Sequence, residues 1–237
     1  MITRLPRPLP RRDDQPQQHR PHTDGLVRAA TAVVVFIALM GALGIAYRIH
    51  PQGLRRFDLD QEGTVPAAFS ALLDAFAGLA VLSVWAHRDG NRLVFLLVPA
   101  FLYVGLDEVF SFHEQLETAT GVNSDVWLSP LVVLGALGFL GVLRDWRRWR
   151  PAQVLLTVGG VLWFVSQVFE LVGHSVLFYG DTRLEAPHYA WWMVSEEVME
   201  MTGSACFLFA GLYVIRTHGP VLAVVRQQLT DLRQRVA

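Results

Sequence analysis

Hydrophobic residues run along this chain in long blocks separated by short polar intervals. The blocks are Leu26–Tyr47, Val65–Ala86, Leu93–Glu114, Val126–Leu143, Gln153–Leu177 and Trp191–Ile215. Each approaches or exceeds the roughly 20 residues a helix needs to cross a hydrocarbon core of about 30 Å. The intervals carry turn signals: Pro66 opens the second block, and Asp89-Gly90, Gly180-Asp181 and Gly219-Pro220 punctuate the chain. This pattern predicts an all-α integral membrane protein, a bundle of about six transmembrane helices. Gly135, Gly138 and Gly141 form a small-residue stripe on the fourth block, which lets a neighbouring helix approach closely.

The flanks differ from the blocks. Residues 1–25 are rich in Arg, Pro, Gln and His and read as a disordered cytoplasmic tail. Residues 26–217 form the predicted bundle. Residues 218–237 read as a cytoplasmic amphipathic helix: Val221, Val225, Leu229, Leu232 and Val236 recur at helical spacing, with Arg226, Asp231, Arg233 and Arg235 on other faces. An Arg-rich start before an apolar run also fits a signal peptide. The run from Ala29 to Tyr47 is longer than the apolar part of a signal peptide, and no small-residue cleavage site succeeds it, so it is expected to remain as a span.

Composition agrees with the pattern. Of 237 residues, 52% are hydrophobic and 17% charged, against about a quarter charged in soluble domains. All 20 basic residues are Arg, and their placement predicts orientation. They concentrate in the tail, in His87–Arg92, in Arg144–Pro151 and after the last span, so both termini are expected on the cytoplasmic side of the cell membrane. The Arg144–Arg150 run is a topology determinant and headgroup contact, not a nucleic-acid patch. Cys206, the single cysteine, excludes an intramolecular disulfide and reads as a packed residue.

Against this apolar background the acidic residues stand out. Leu106–Glu117 places Asp107, Glu108, His113 and Glu114 at the end of the third block. Asp74 lies inside the second, Glu170 and His174 inside the fifth, and Glu196, Glu197 and Glu200 inside the sixth. An acidic residue mid-span costs roughly 3 kcal/mol and by default marks a functional site. At 1.5 Å per residue, Asp107 lies roughly 21 Å and Glu170 roughly 25 Å up from the cytoplasmic side, while Asp74 and Glu200 lie about 14 Å down from the outer face. Four separate segments therefore place carboxylates in the outer half of the membrane. On one unbroken third helix, Asp107, Ser111 and Glu114 fall within about 60°, bordered by Glu108 and Gln115, with His113 pointing away. Glu170 and His174 share a face, with Gln167 one turn before, and Glu196 and Glu197 each sit one turn from Glu200.

No Arg lies deep in any block, so ion pairing inside the bundle is not available. Either some carboxylates are protonated or cations sit among them. Carboxylates with one or two imidazoles suit a divalent metal ion, Zn, Fe or Mn. Asp107, Glu114, Glu170, His174, Glu196, Glu200, His113 and Glu197 are the expected ligand set, and Glu108 or Asp74 the expected general acid/base. Gln167 or Ser111 is expected to orient the ligands.

The motifs Leu106-Asp107-Glu108 with His113-Glu114, and Glu196-Glu197 with Glu200-Met201 and Gly203, resemble those of a group of uncharacterised small bacterial multipass membrane proteins. The resemblance spans the third to sixth blocks and implies topology and site residues, not a reaction. The spacing Glu170-x-x-x-His174 departs from the Glu-x-x-His pairs of four-helix di-iron proteins, and the His-rich motif of ceramidase-type membrane hydrolases is missing. The leading expectation is a metal-dependent membrane enzyme, hydrolase or oxidoreductase, acting on a lipid or amphiphile. A proton- or cation-coupled transporter and a structural subunit with a stabilising metal are the alternatives. Membrane lipids are the expected partners, nucleic acid is not, and a homo-oligomer is left open.

Overall fold

The computed structural model describes residues 24–50, 52–59, 61–86, 92–122, 124–172 and 189–217. Among them the chain is entirely helical, as a backbone enclosed by apolar side chains must be to satisfy its own hydrogen bonds. Seven α-helices come in order: α1 Asp24–Ile49, α2 Val65–Ala86, α3 Leu97–Phe110, α4 Phe112–Thr120, α5 Ser124–Asp145, α6 Arg150–Val172 and α7 Tyr189–Thr217. Short 3-10 turns occupy Arg55–Phe57 and Arg92–Leu96. Five segments are long and apolar enough to cross a membrane: Asp24–Ile49, Val65–Trp85, Arg92–Phe110, Arg150–Glu170 and Trp191–Thr217. Residues 1–23 of the predicted tail, residues 218–237 and His174 lie outside the described residues, while Asp24 and Gly25, assigned to the tail, open α1.

The central helix is α7, which packs on α6, α2 and α1, while α2 also packs on α3. The α6–α7 contact is made backbone to backbone. A Cβ on Gly203 would stand 3.0 Å from the Gly159 carbonyl oxygen, and one on Gly159 would stand 2.8 Å from that of Gly203. The glycine stripe of α5 works in the same way. A Cβ on Gly138 would approach the Leu97 amide nitrogen to 2.7 Å, so α5 lies directly on the start of α3. Side chains such as Val35, Leu72, Phe76, Leu140 and Phe164 point outward and are exposed, which in this setting is the surface offered to lipid.

One cluster of apolar residues seals the end of the bundle where α2 finishes, α3 begins, α5 meets α6 and α7 finishes. Val81, Val142, Trp146, Leu156 and Val214 are fully buried there. The opposite end holds the residue 52–64 connection, the α3–α4 junction and the start of α7.

The third span differs from expectation. It starts with a 3-10 turn at Arg92, and its α-helix ends at Phe110 rather than running to Glu114. Ser111 stands at φ 52° and ψ 45°, a left-handed conformation that breaks the helix. The interval expected as a loop from Gln115 to Asp125 is helical as far as Thr120, where Gly121 at φ 67° ends α4. The contacts at the break are local: both oxygens of the Asp107 carboxylate are taken by His113, which holds the start of α4 against the end of α3.

Candidate functional site

Asp107 sits one turn before the break, and its side chain reaches across it to the start of α4. Oδ1 accepts the His113 backbone N–H at 2.9 Å, and Oδ2 lies 2.7 Å from His113 Nδ1. The Asp107 carbonyl meanwhile accepts the Ser111 N–H at 2.8 Å. The expectation of one stripe carrying Asp107, Ser111 and Glu114 is therefore overturned. Ser111 is the hinge residue, and Glu114 is exposed on a separate helix with a new phase. His113, expected to point away, is instead the direct partner of Asp107.

Glu62, in the connection between α1 and α2, completes this group. Its Oε1 lies 3.6 Å from His113 Nδ1, and the neighbouring Gly63 N–H donates to the Glu108 carbonyl at 3.4 Å. Sequence periodicity offered no sign of Glu62, because it lies in an irregular segment 45 residues before Asp107. The hydrogen bond to Asp107 pushes the His113 pKa up to about 9, so the imidazole is protonated at neutral pH. Desolvation raises Glu62 to about 7, opposed by the attraction of His113 and reinforced by Glu114 and Asp107. The other Glu62 oxygen, Oε2, is buried without a hydrogen-bond partner.

Deeper in the bundle, Glu108 on α3 is within electrostatic reach of Glu200, Asp74, Glu62 and Asp107. Glu200 on α7 has Glu170 and Asp74 as its carboxylate neighbours. Its Oε1 accepts Gln167 Nε2 at 2.7 Å and the Ser166 hydroxyl at 3.3 Å. Gln167 thus orients a carboxylate, as the i,i+3 spacing to Glu170 suggested, but its partner is on the next helix. Asp74 on α2 is 1% exposed, and its Oδ1 has no hydrogen-bond partner. Ser204 on α7 lies beside it, also buried, and was not singled out by the sequence. Glu196 and Glu197 are partly buried on the same helix as Glu200.

The structure therefore brings Asp74, Glu108, Glu170 and Glu200 into one neighbourhood from four helices, with Asp107, His113 and Glu62 at its mouth. The electrostatic neighbours of Glu108 and Glu200 are all carboxylates. No arginine among the described residues compensates these two: Arg48, at the end of α1, is paired with Asp58 at 3.3 Å. Four carboxylates gathered in an apolar medium share protons or bind a cation. Among the described residues, no three His, Cys, Asp or Glu side chains converge as a metal ion requires.

The family described as Domain of unknown function (DUF8692) matches residues 27–215, and the chain belongs to that family. No curated protein and no solved structure matches it.

Proposed function

We propose, with that membership as premise, that this is a six-span protein of the cell membrane with both termini cytoplasmic, and that its acidic site serves an enzyme acting on a lipid or amphiphile. The sixth span in this reading is α5. Its 22 residues reach about 33 Å. The arginines after α5 and in the two terminal segments then share one side. The site falls in the outer half of the bilayer, open towards the 52–64 connection.

The observation that carries the reading is the buried Asp74 carboxylate, with its Oδ1 unpartnered, beside Glu108 and Glu200 in a bundle whose other end is sealed by apolar residues. Groups left so costly are retained where they are used. Glu108 is the candidate general acid, since it stands between the mouth and the buried group and can pass a proton to either. Asp74 is the candidate base. Glu200 is held in place by Gln167 and Ser166 and orients the substrate or a cation.

A divalent metal, Zn, Fe or Mn, is the wider form of the proposal. The described side chains do not by themselves converge on one, so the set would have to be completed by His174, four residues beyond Glu170 in the chain. When bound, such an ion would polarise a substrate oxygen or activate water. A proton- or cation-coupled transporter is the second reading, favoured by the succession Glu62, Glu108, Asp74, Glu200. Among the described residues, the cluster around Val81 and Trp146 holds no charged side chain to pass an ion onward.

The test uses purified protein in vesicles of phospholipid extract, with lipid turnover measured by mass spectrometry. Wild type is expected to convert a lipid, and Glu108→Gln and Asp74→Asn are expected to lose that conversion by roughly 100-fold or more. Elemental analysis of wild type beside Glu170→Ala/His174→Ala reads the metal: stoichiometric metal lost in the double variant supports the wider form, and background metal in active protein removes it. Proton uptake into the vesicles without lipid turnover would overturn the enzyme in favour of transport.

A further inference from the structure

The face of the bundle between α1 and α2 is open. α1 packs on α7, and its Phe36 meets Phe69 of α2, with ring centroids 4.5 Å apart. A groove of about 920 Å3 remains there, walled by Phe36, Phe69 and Leu72. Leu72 lies seven residues inside Val65, so the groove reaches about 10 Å below the helix end, into the depth of acyl chains.

The roof of the groove is anchored and cationic. Leu59 is buried against α1 at Gly44, and Asp58, also buried, holds Arg48 at 3.3 Å. These contacts fix the 3-10 turn that carries Arg55 and Arg56 over the groove. Both arginines are exposed, and no carboxylate among the described residues pairs with either. They stand beyond the ends of α1 and α2, at the level of lipid headgroups. Two guanidinium groups are a fitting partner for a phosphate, which accepts paired N–H bonds from each. Glu62 lines the same groove and touches His113 on its other side. The groove and the acidic site therefore share a wall.

We propose that this groove binds an acidic phospholipid, its phosphate held by Arg55 and Arg56 and an acyl chain laid along Phe36, Phe69 and Leu72. The ligand enters sideways from the membrane, with its head beside Glu62 and the mouth of the carboxylate site. Calling this lipid the substrate rests on the enzyme reading above; its binding does not.

Binding is read by native mass spectrometry of detergent-purified protein titrated with dioleoylphosphatidylglycerol, dioleoylphosphatidylcholine or inorganic phosphate. Wild type is expected to retain one equivalent of the acidic lipid in preference to the zwitterionic one by about ten- to thirtyfold, the factor two arginines give near an anionic headgroup. Arg55→Gln/Arg56→Gln is expected to lose the preference, and Ala68→Trp, which fills the groove, to lose the bound lipid. Arg147→Gln/Arg148→Gln, at the other end of the bundle, is expected to keep both. Equal loss in the two arginine pairs would reduce the effect to diffuse surface charge and overturn the site. So would equal retention of the two lipids by wild type, or inorganic phosphate competing as strongly as the lipid. Selective lipid binding without lipid turnover would leave this site standing while the enzyme reading failed.

Discussion

At one end of the bundle Val81, Val142, Trp146, Leu156 and Val214 interlock with nothing charged among them. At the other, Asp74, Glu108 and Glu200 sit in the same kind of helical frame, yet Asp74 has an unpartnered oxygen and the charged neighbours of Glu108 and Glu200 are all acidic. Both ends draw on α2, α3, α6 and α7, and the apolar end adds Val142 of α5 and Trp146 just after it. α1, α2 and α7 also bury Met40, Leu73, Met193 and Met201, so the carboxylates lie within an otherwise apolar packing.

The sharpest way to break the contrast is to put a carboxylate into the apolar end. Val81 is fully buried, and Val81→Asp would strand a charge without a partner. The expected loss is about 4 kcal/mol or more, seen as failure to recover folded protein in detergent. Gly203→Leu tests the frame common to both ends, because the side chain would meet the Gly159 carbonyl. A loss of about 3 kcal/mol in thermal unfolding is expected, and an unchanged midpoint would show that α6 and α7 do not approach so closely.

At the acidic end the sign reverses. Asp74→Leu removes a buried carboxylate whose Oδ1 is unpartnered and is expected to stabilise the protein by about 1–3 kcal/mol while abolishing the lipid conversion proposed for the site. Destabilisation would mean that Asp74 makes a structural contact.

The smallest effect is on pH. His113 is raised to about 9 and Glu62 to about 7, both above their ordinary values, so both contributions have the same sign. The His113 contribution is complete below about 6.5 and is lost as pH rises through about 9. The Glu62 contribution is complete below about 4.5 and is lost as pH rises through about 7. The contact between them is an ion pair only from about pH 7 to about pH 9. Thermal midpoints are expected to fall gently across this range, and His113→Asn to flatten the upper part. Imidazole NMR gives the His113 value directly; titration near 6.5 would show that Asp107 does not hold the ring.

Much of this organisation was legible in the chain. Hydrophobic blocks of span length dictate helices, since no other backbone conformation satisfies itself in an apolar medium. Counting residues from the block ends placed Asp74, Glu170 and Glu200 in the same half of the membrane, because a helix converts sequence position into height. Gly138 announced its close contact by the same periodicity. Local pattern failed at Ser111. A helical wheel carries its phase forward indefinitely, whereas the real phase was reset when Asp107 captured His113 six residues on. Glu62 and Ser204 were invisible for a related reason: each matters through a partner on another helix, which no local period encodes. Sequence by itself determined the helices, their apolar surfaces and the cost of each buried acid, all of which depend on neighbours within a turn or two. Only the tertiary structure decided which acids meet, where the third span breaks and which gap between helices stays open, because those depend on contacts between segments distant in the chain.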